Sequence, residues 1–372
     1  METKKPVWKK ILKAFLIILL ILVLVIVGYF AYLFIDYYRI DDNQVLDVKD
    51  NVSEICQVGE EYKIISYNVG FGAYTADYGF FMDGGTESRA ASAESVKEVF
   101  EGITNFLTAQ DPDLMLIEEV DIDSTRAWHV NEQEILENAL TGYDSVMGLN
   151  YDSPYLFYPI FEPHGKSLAG IMTFSKFNIT SSIRRQLPIE ESLMKLLDLD
   201  RCYTVSRIPT SDGKELVLYT FHLSAYTSDG TIATKQLEML IDDMEGEYKK
   251  GNYCIAGGDF NKDILGTEGN TSADIFGVDG SEYTWAQIID PAIFEGKHVS
   301  KIVPFDENDM VPSCRNADGP YTDKQYVVTV DGFLTTDNVT VNQAIVYDTG
   351  FEYSDHNPVY MNFVLGGLSD EA

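Results

Sequence analysis

The sequence predicts an α/β layered domain, not of the dinucleotide-binding type, carried behind one membrane-spanning helix. Three observations lead there. Residues 14–35 form an uncharged apolar run of 22 residues. From Tyr62 onward, short apolar runs suited to buried strands alternate with stretches of helical periodicity, the pattern of layered α/β architecture. No GxGxxG or Walker pattern accompanies any strand-to-helix junction, which removes the Rossmann and P-loop variants.

The N-terminal run is long enough to cross a hydrocarbon core of about 30 Å. A secretory signal core is shorter, about 7–15 residues, and ends in small residues before its cleavage site. This one ends in bulky aromatics, which favours an uncleaved anchor. Lys4, Lys5, Lys9, Lys10 and Lys13 precede the span. Arg39 alone follows closely, among Asp36, Asp41 and Asp42. The positive-inside rule then places the N-terminus in the cytoplasm and the rest outside, with Tyr29, Tyr32, Tyr37 and Tyr38 at the outer interface. The expected organisation is a basic cytoplasmic segment at 1–13, a single-pass anchor in the cell membrane at 14–35, a polar linker at 36–60 and a catalytic-type domain at 61–368.

Within that domain, strands are expected to begin near Tyr62, Asp113, Leu168, Glu215 and Asn252, in the runs YKIISYNV, DLMLIEEV, LAGIMTFS, ELVLYTFHL and NYCIAGGDF. Helical periodicity runs from about 88 to 109 and from about 232 to 250. In the second, Leu237, Leu240, Ile241 and Met244 line one face. Ser92 and Ser95 with Glu98 give a capping signal inside the first. Residues 266–323 are rich in Gly, Asp and Pro and read as loops. No long hydrophobic hairpin is evident in the loops, which argues against a second membrane-inserting element.

Charge narrows the partners. Residues 1–35 carry five lysines against Glu2, a net +4, so the remaining chain carries −36 of the overall −32. Phosphate backbones are bound through Lys and Arg, and so acidic a body disfavours a dedicated polynucleotide binder. Cys56, Cys202, Cys254 and Cys314 contain no C-x-x-C pair and match no zinc spacing. Buried free thiols are the expectation.

Several polar residues close the apolar runs. Asn68 ends IISYN, Glu118 and Glu119 end DLMLIEE, and His222 ends LVLYTFH. Asp259 and Asn261 follow CIAGG, Asp331 follows YVVTV, and Asp355 with His356 precedes NPVYMNFV. Singly, each has a bland reading: a turn residue, a solvated strand end, a core histidine bonded to backbone, a cap. Together they supply carboxylates, amides and two histidines without clustered thiols. Such oxygen donors are hard ligands suited to Mg²⁺ or Mn²⁺ rather than Zn²⁺. His356 would serve a phosphate oxygen if a carboxylate held its ring.

The stretches SYNV, PDLMLIEEV, FHLSAY, GGDFN, VDGF and SDHNPV, in this order, resemble the endonuclease/exonuclease/phosphatase superfamily, which includes DNase I, abasic endonucleases, neutral sphingomyelinases and inositol polyphosphate 5-phosphatases. The resemblance spans about residues 62–364 and rests chiefly on GDFN with the downstream SDHNPV. It implies a four-layer α/β sandwich of the DNase I type with its site at one end of two facing sheets. It also implies metal-dependent hydrolysis of a phosphoester, with Mg²⁺, or Mn²⁺ in its place, held by Glu119 with Asn68 and completed by Asp355. Glu118 stands where a structural residue is expected. Asp259 would orient or deprotonate the attacking water, Asn261 would hold the phosphate, and His356, fixed by Asp331, would contact the phosphoryl oxygens. His222 matches the second histidine of the DNase I and sphingomyelinase branches, placed to serve the leaving oxygen. Lys166, with His164 nearby, Arg201 and Arg315 are candidate substrate contacts, with surface or ion-pair roles as the alternative.

The resemblance fixes the reaction better than the substrate. A lipid or small organic phosphoester near the cell surface suits the anchor and the acidity. An extracellular nuclease of the DNase type is the alternative. The rival from another class is a catalytically silent binding domain, which loss of a key ligand would mark, and none is missing. No protein partner is predicted.

Overall fold

The computed structural model describes residues 6–49, 52–197, 199–225 and 231–366. Two seven-stranded mixed sheets face each other. The first runs, in spatial order, Gln44–Leu46, Ser181–Gln186, Cys202–Pro209, Glu215–His222, Tyr253–Asp259, Asp331–Thr336 and Val299–Ile302. The second runs Val339–Val346, Val359–Leu365, Glu61–Asn68, Leu114–Asp121, Leu168–Ser175, Asp144–Asp152 and Val48–Lys49.

The central strands are apolar on both faces, and the alternation of side chains explains why. Ile64, Leu114 and Leu116 point between the sheets, where they meet Leu218, Ile255 and Phe333. Ile65, Tyr67, Met115 and Ile117 point outward beneath Val96, Phe100, Ile103 and Leu107 of the helix Ala93–Gln110. On the opposite side, Leu237, Leu240, Ile241 and Met244 of the helix Thr231–Tyr248 cover Val217, Tyr219, Cys254 and Ala256. Successive residues of a strand face opposite ways, so a strand covered on both sides must be continuously apolar. The result is helix, sheet, sheet, helix: the four-layer sandwich. Each fully buried Leu or Ile contributes about 1.5–3 kcal/mol.

The expected elements are present, with four differences. The first helix starts at Ala93, not near 88. Ser92 is extended and is its N-cap, accepting from Ser95 N while Ser95 Oγ accepts from Ser92 N. The capping pair therefore marks the start of the helix, and Glu98 takes no part in it. The expected linker at 36–60 contributes edge strands to both sheets: Gln44–Leu46 pairs with Ser182–Arg184, and Val48–Lys49 pairs with Ser145–Val146. Asp331 begins a strand and does not follow one, because the preceding YVVTV run forms only a two-residue ladder, Val327–Val328. Finally, the loop Tyr155–Phe161 is apolar and largely exposed at the tip of the hairpin that joins Asp144–Asp152 to Leu168–Ser175, against the expectation that the loops hold no hydrophobic hairpin.

All four cysteines are buried and free. The helix Val7–Asp36 is long and apolar enough to cross a membrane; its most apolar 18-residue window is unburied, and its outer end, at Tyr29, Tyr32 and Leu33, meets the domain. Lys4, Lys5 and the expected domain end at 368 lie outside the described residues.

Candidate active site

Strand direction assembles the site. Glu61–Asn68 runs parallel to Leu114–Asp121, and Glu215–His222 runs parallel to Tyr253–Asp259. Each pair thus ends at the same edge, placing Asn68 opposite Glu118 in one sheet and His222 opposite Asp259 in the other. Asp331–Thr336 is antiparallel to Tyr253–Asp259, so its first residue also stands at that edge, opposite Asp259. His222, Asp259 and Asp331 therefore lie abreast on three neighbouring strands.

Local backbone geometry aims the remaining groups. The ladder between Leu114–Asp121 and Leu168–Ser175 shifts register between Ile117 and Val120. Glu119 lies in this bulge with φ +60°, a left-handed conformation rare for glutamate. Bulges re-aim side chains next to active sites. Here the bulge separates the two glutamates. Glu118 is fully buried with Oε1 accepting from Ser66 Oγ at 3.0 Å, whereas Glu119 lines the cavity. Gly258 is required for a related reason. Its φ is +152°, and a Cβ there would lie 1.9 Å from the carbonyl oxygen of Phe221 on the neighbouring strand.

Two histidines flank Asp259. His356 Nδ1 lies 2.8 Å from Asp331 Oδ2 and its Nε2 lies 3.9 Å from Asp259 Oδ2. His222 Nε2 lies 3.4 Å from Asp259 Oδ2. His222 Nδ1 is buried with no hydrogen-bond partner among the described residues, so no backbone bond to this ring is seen there. Asn261 N donates to Asp259 Oδ1 at 2.6 Å, a local turn that fixes the carboxyl. Asn261 Nδ2 donates to Leu223 O at 2.9 Å and lies 3.3 Å from Asp259 Oδ2. Its amide hydrogens thus face the protein, which suits holding Asp259 better than holding phosphate. Ser354, the first residue of SDHNPV but not among the candidate residues, donates from Oγ to Asn68 O at 2.8 Å and accepts from His356 N at 3.2 Å. It joins the end of one sheet to the SDH turn.

Electrostatics divide the two imidazoles. Burial would lower the pKa of His356, but Asp331, then Cys314 and Asp355, outweigh it and hold the ring well above its ordinary value. Burial, with Arg201, His356 and Arg126 adding to it, pushes His222 well below its own. Near neutrality His356 is the cation and His222 is neutral. Burial raises Asp259 to about 7, with Asp331 adding to the shift and His356 opposing it. Burial likewise raises Asp355 to about 6 and Glu118 well above the carboxylate range. Burial thus pushes Glu118 toward its protonated form, and it does not line the cavity.

These groups share one cavity of about 510 Å³, which Glu119, His222, Asp259, Asn261, Asp355 and His356 line. Arg201 and His164 line it too, both side chains being buried. The His164 ring is held by Ser88 O at 2.9 Å, and burial pushes its pKa down to about 3. Arg315 reaches the cavity wall, but its guanidinium donates to the carbonyls of Asn316, Gly319, Thr75 and Tyr78. It is a structural tie. Lys166 is half exposed, pairs with Asp152 at 3.5 Å and does not line the cavity.

The donor set fits a hard divalent cation. Carboxylate oxygens of Glu119 and Asp355 face one space, and the burial that raises Asp355 is the strain a cation would relieve, whereas Asn68 Oδ1 accepts from Gly70 N at 3.1 Å. Asn68 Nδ2 stands 3.3 Å from Glu119 Oε1, 3.4 Å from Asp259 Oδ2 and 3.5 Å from His356 Nε2, joining this set to the histidine side. Single ligand atoms of Asp259, Asp331 and His356 also lie within 4.8 Å of one another, close enough to hold an ion. His356 Nδ1 and Asp331 Oδ2 already bind each other at 2.8 Å, with Asp259 Oδ2 3.9 Å from His356 Nε2. That pairing engages two of the three residues and leaves the carboxylates of Glu119 and Asp355 open to an ion.

Facing sheets with this constellation at their common edge define a phosphoesterase-type sandwich. The chain belongs to the endonuclease/exonuclease/phosphatase family, whose model matches residues 65–356. Members of this family are hydrolases of phosphoester bonds and generally use divalent metal ions. The structure is similar to that of an endonuclease/exonuclease/phosphatase from Beutenbergia cavernae, with a TM-score of 0.55 and 17% identity over 82% of this chain and 72% of that one. It is also similar to ANGEL2, a 2′,3′-cyclic phosphatase, with a TM-score of 0.53 and 14% identity over 86% of this chain and 98% of that one. At such identities the likeness establishes the fold. No curated protein matches the sequence.

Proposed function

We propose that this chain is a membrane-anchored, Mg²⁺-dependent phosphoester hydrolase, acting outside the cytoplasm and most suited to a phosphodiester. The observation that carries this reading is the convergence of Asp259, His222, His356, Glu119 and Asp355 on one cavity, with Asp331 holding His356 and Asn68 beside Glu119. Mg²⁺ or Mn²⁺ bound by Glu119, Asn68 and Asp355 would supply the positive charge that offsets the phosphoryl and leaving oxygens.

The chain's own residues supply the rest. Asp259, held by Asn261 and raised to about 7, accepts the proton of the attacking water. The His356 imidazolium, oriented through Nδ1 by Asp331, presents Nε2 to a phosphoryl oxygen and gains strength as charge builds there. His222, neutral and 3.4 Å from Asp259, orients that carboxyl and the water. Arg201 adds a buried positive charge on the cavity wall for the substrate phosphate.

The five lysines before the span and the acidic stretch after it support the extracytoplasmic placement. A reporter fused to the C-terminus that is active only in the cytoplasm tests it, and activity there contradicts it. The hydrolase reading is tested with the full chain in detergent on plasmid DNA, sphingomyelin, phosphatidylinositol phosphates and bis(p-nitrophenyl) phosphate. The expected result is hydrolysis of at least one, supported by Mg²⁺ or Mn²⁺ and lost in Asp259→Ala and His356→Ala proteins that remain folded. Turnover that survives EDTA contradicts the metal requirement.

A further inference from the structure

The loop Tyr155–Phe161, sequence YLFYPIF, is held against the outer end of the apolar helix. Tyr29 Oη donates to Tyr155 O at 3.0 Å, and Tyr155 N donates to Tyr32 Oη at 2.8 Å. The Tyr29 and Phe157 rings meet edge-on with centroids 4.8 Å apart. Tyr29 lies seven residues before Asp36, the last helical residue, or about 10 Å along the axis at 1.5 Å per residue. The loop is therefore attached below the end of the apolar span, at the depth where aromatic side chains collect between acyl chains and headgroups.

Its side chains are placed accordingly. Ile160 and Phe161 are 68% and 101% exposed, and Tyr158, 60% exposed, packs on Phe81 with ring centroids 5.6 Å apart. So contiguous an apolar surface beside a membrane-type helix marks a contact with something apolar. The same loop walls the catalytic cavity. Leu156, Phe157 and Tyr158, with Tyr29 of the helix, line the space that Asp259 and His356 line at its other end. One cavity thus joins the phosphoryl chemistry to the face of the helix.

Resting on the hydrolase reading above, we propose that Tyr155–Phe161 is a second membrane contact that opens the cavity onto the bilayer. The substrate is then a phosphoester lipid drawn laterally from the membrane, its phosphate at Asp259 and His356 and its apolar part along Leu156, Phe157 and Tyr158. The occupant is a lipid and not a protein, because the loop is tied to the helix at a depth that lipid fills. The charge of −36 on the chain beyond residue 35 also opposes a long polyanion, whereas a single lipid phosphate carries little charge.

The test uses the full chain in phosphatidylcholine vesicles with Mg²⁺, assayed on the vesicle lipid and on water-soluble bis(p-nitrophenyl) phosphate. The double variant Ile160→Ser/Phe161→Ser changes side chains that do not line the cavity. It is expected to keep turnover of the soluble ester within twofold and to lose at least tenfold on the lipid. Independently of activity, Phe161→Trp should add fluorescence, over the wild-type background, that brominated acyl chains quench. Unquenched added emission overturns the membrane contact, whatever the activity. Soluble-ester turnover without lipid turnover, or lipid turnover that the double variant leaves unchanged, overturns the lipid assignment alone. Absence of turnover on every phosphoester overturns the hydrolase reading instead, while quenching still decides the contact.

Discussion

Replacing Asp331 with Asn isolates the pair on which the proposed chemistry rests. The His356 Nδ1 to Asp331 Oδ2 contact is 2.8 Å long and both groups are buried. Two unit charges at that distance interact by about 6 kcal/mol even at an effective dielectric of about 20. The net loss is smaller, because Asn retains the shape and a polar atom. Breaking one side of a buried charge-assisted hydrogen bond costs about 2–5 kcal/mol. If about 3–4 kcal/mol of this is felt in the transition state, the rate falls by about 10²–10³, at 1.36 kcal/mol per tenfold. Binding of substrate should change much less, since the imidazolium matters most as phosphoryl charge develops. The assay is steady-state kinetics of Asp331→Asn on whichever ester the wild type hydrolyses, with circular dichroism as the control for folding. A kcat within threefold of wild type in a folded protein would refute the argument that Asp331 holds His356 in its working state.

Four further outcomes follow from particular contacts. Glu119→Gln should weaken Mn²⁺ binding by at least about tenfold in calorimetric titration, since it removes the charged ligand while keeping its shape; unchanged affinity would place the ion elsewhere. Gly258→Ala should fail to fold or lose more than about 3 kcal/mol in urea unfolding, because its Cβ would meet Phe221 O at 1.9 Å. Lys166→Ala should leave turnover within twofold, because its ammonium pairs with Asp152 away from the cavity. For stability against pH, burial raises the pKa of Glu247, but hydrogen bonds from Arg207, Lys250 and Asn252 prevail and lower it to about 2. A depressed carboxyl contributes stability that is present above pH about 4.5 and lost as pH falls toward 2. Solvent access to Arg207 reduces this to about 1–2 kcal/mol. Urea midpoints at pH 5 and pH 3 should therefore differ less in Glu247→Gln than in wild type.

The central strands and most of the site were legible because one physical fact produces both signals. A strand covered on two faces must be apolar until it reaches the edge of the sheets, so the first polar residue after each run marks the edge. Asn68, His222 and Asp259 were found this way. Asp331 was found for the wrong local reason: it opens its strand, and only antiparallel pairing brings it to the same edge. The bulge at Glu119 leaves no pattern in sequence, because its register shift exists only against the facing strand. Gln44–Leu46 and Val48–Lys49 escaped notice since edge strands of two or three residues carry too little periodicity. Asn261 and Arg315 both line the cavity, but their donors are directed at carbonyls that no linear reading could locate. The loop Tyr155–Phe161 was missed, although YLFYPIF is apolar throughout. Its exposure depends on being lifted off the core toward the helix, which is a tertiary fact.

The central claim is that one hard cation sits on the Glu119 side of the cavity while Asp331 and His356 remain hydrogen-bonded to each other. Anomalous diffraction from crystals of the chain soaked in Mn²⁺ tests it directly. The account predicts a peak at about 2.1 Å from a Glu119 carboxylate oxygen, in the space shared with Asp355 and beside Asn68, with the His356 to Asp331 bond intact. A peak held instead among Asp259, Asp331 and His356, with that bond broken, would contradict it.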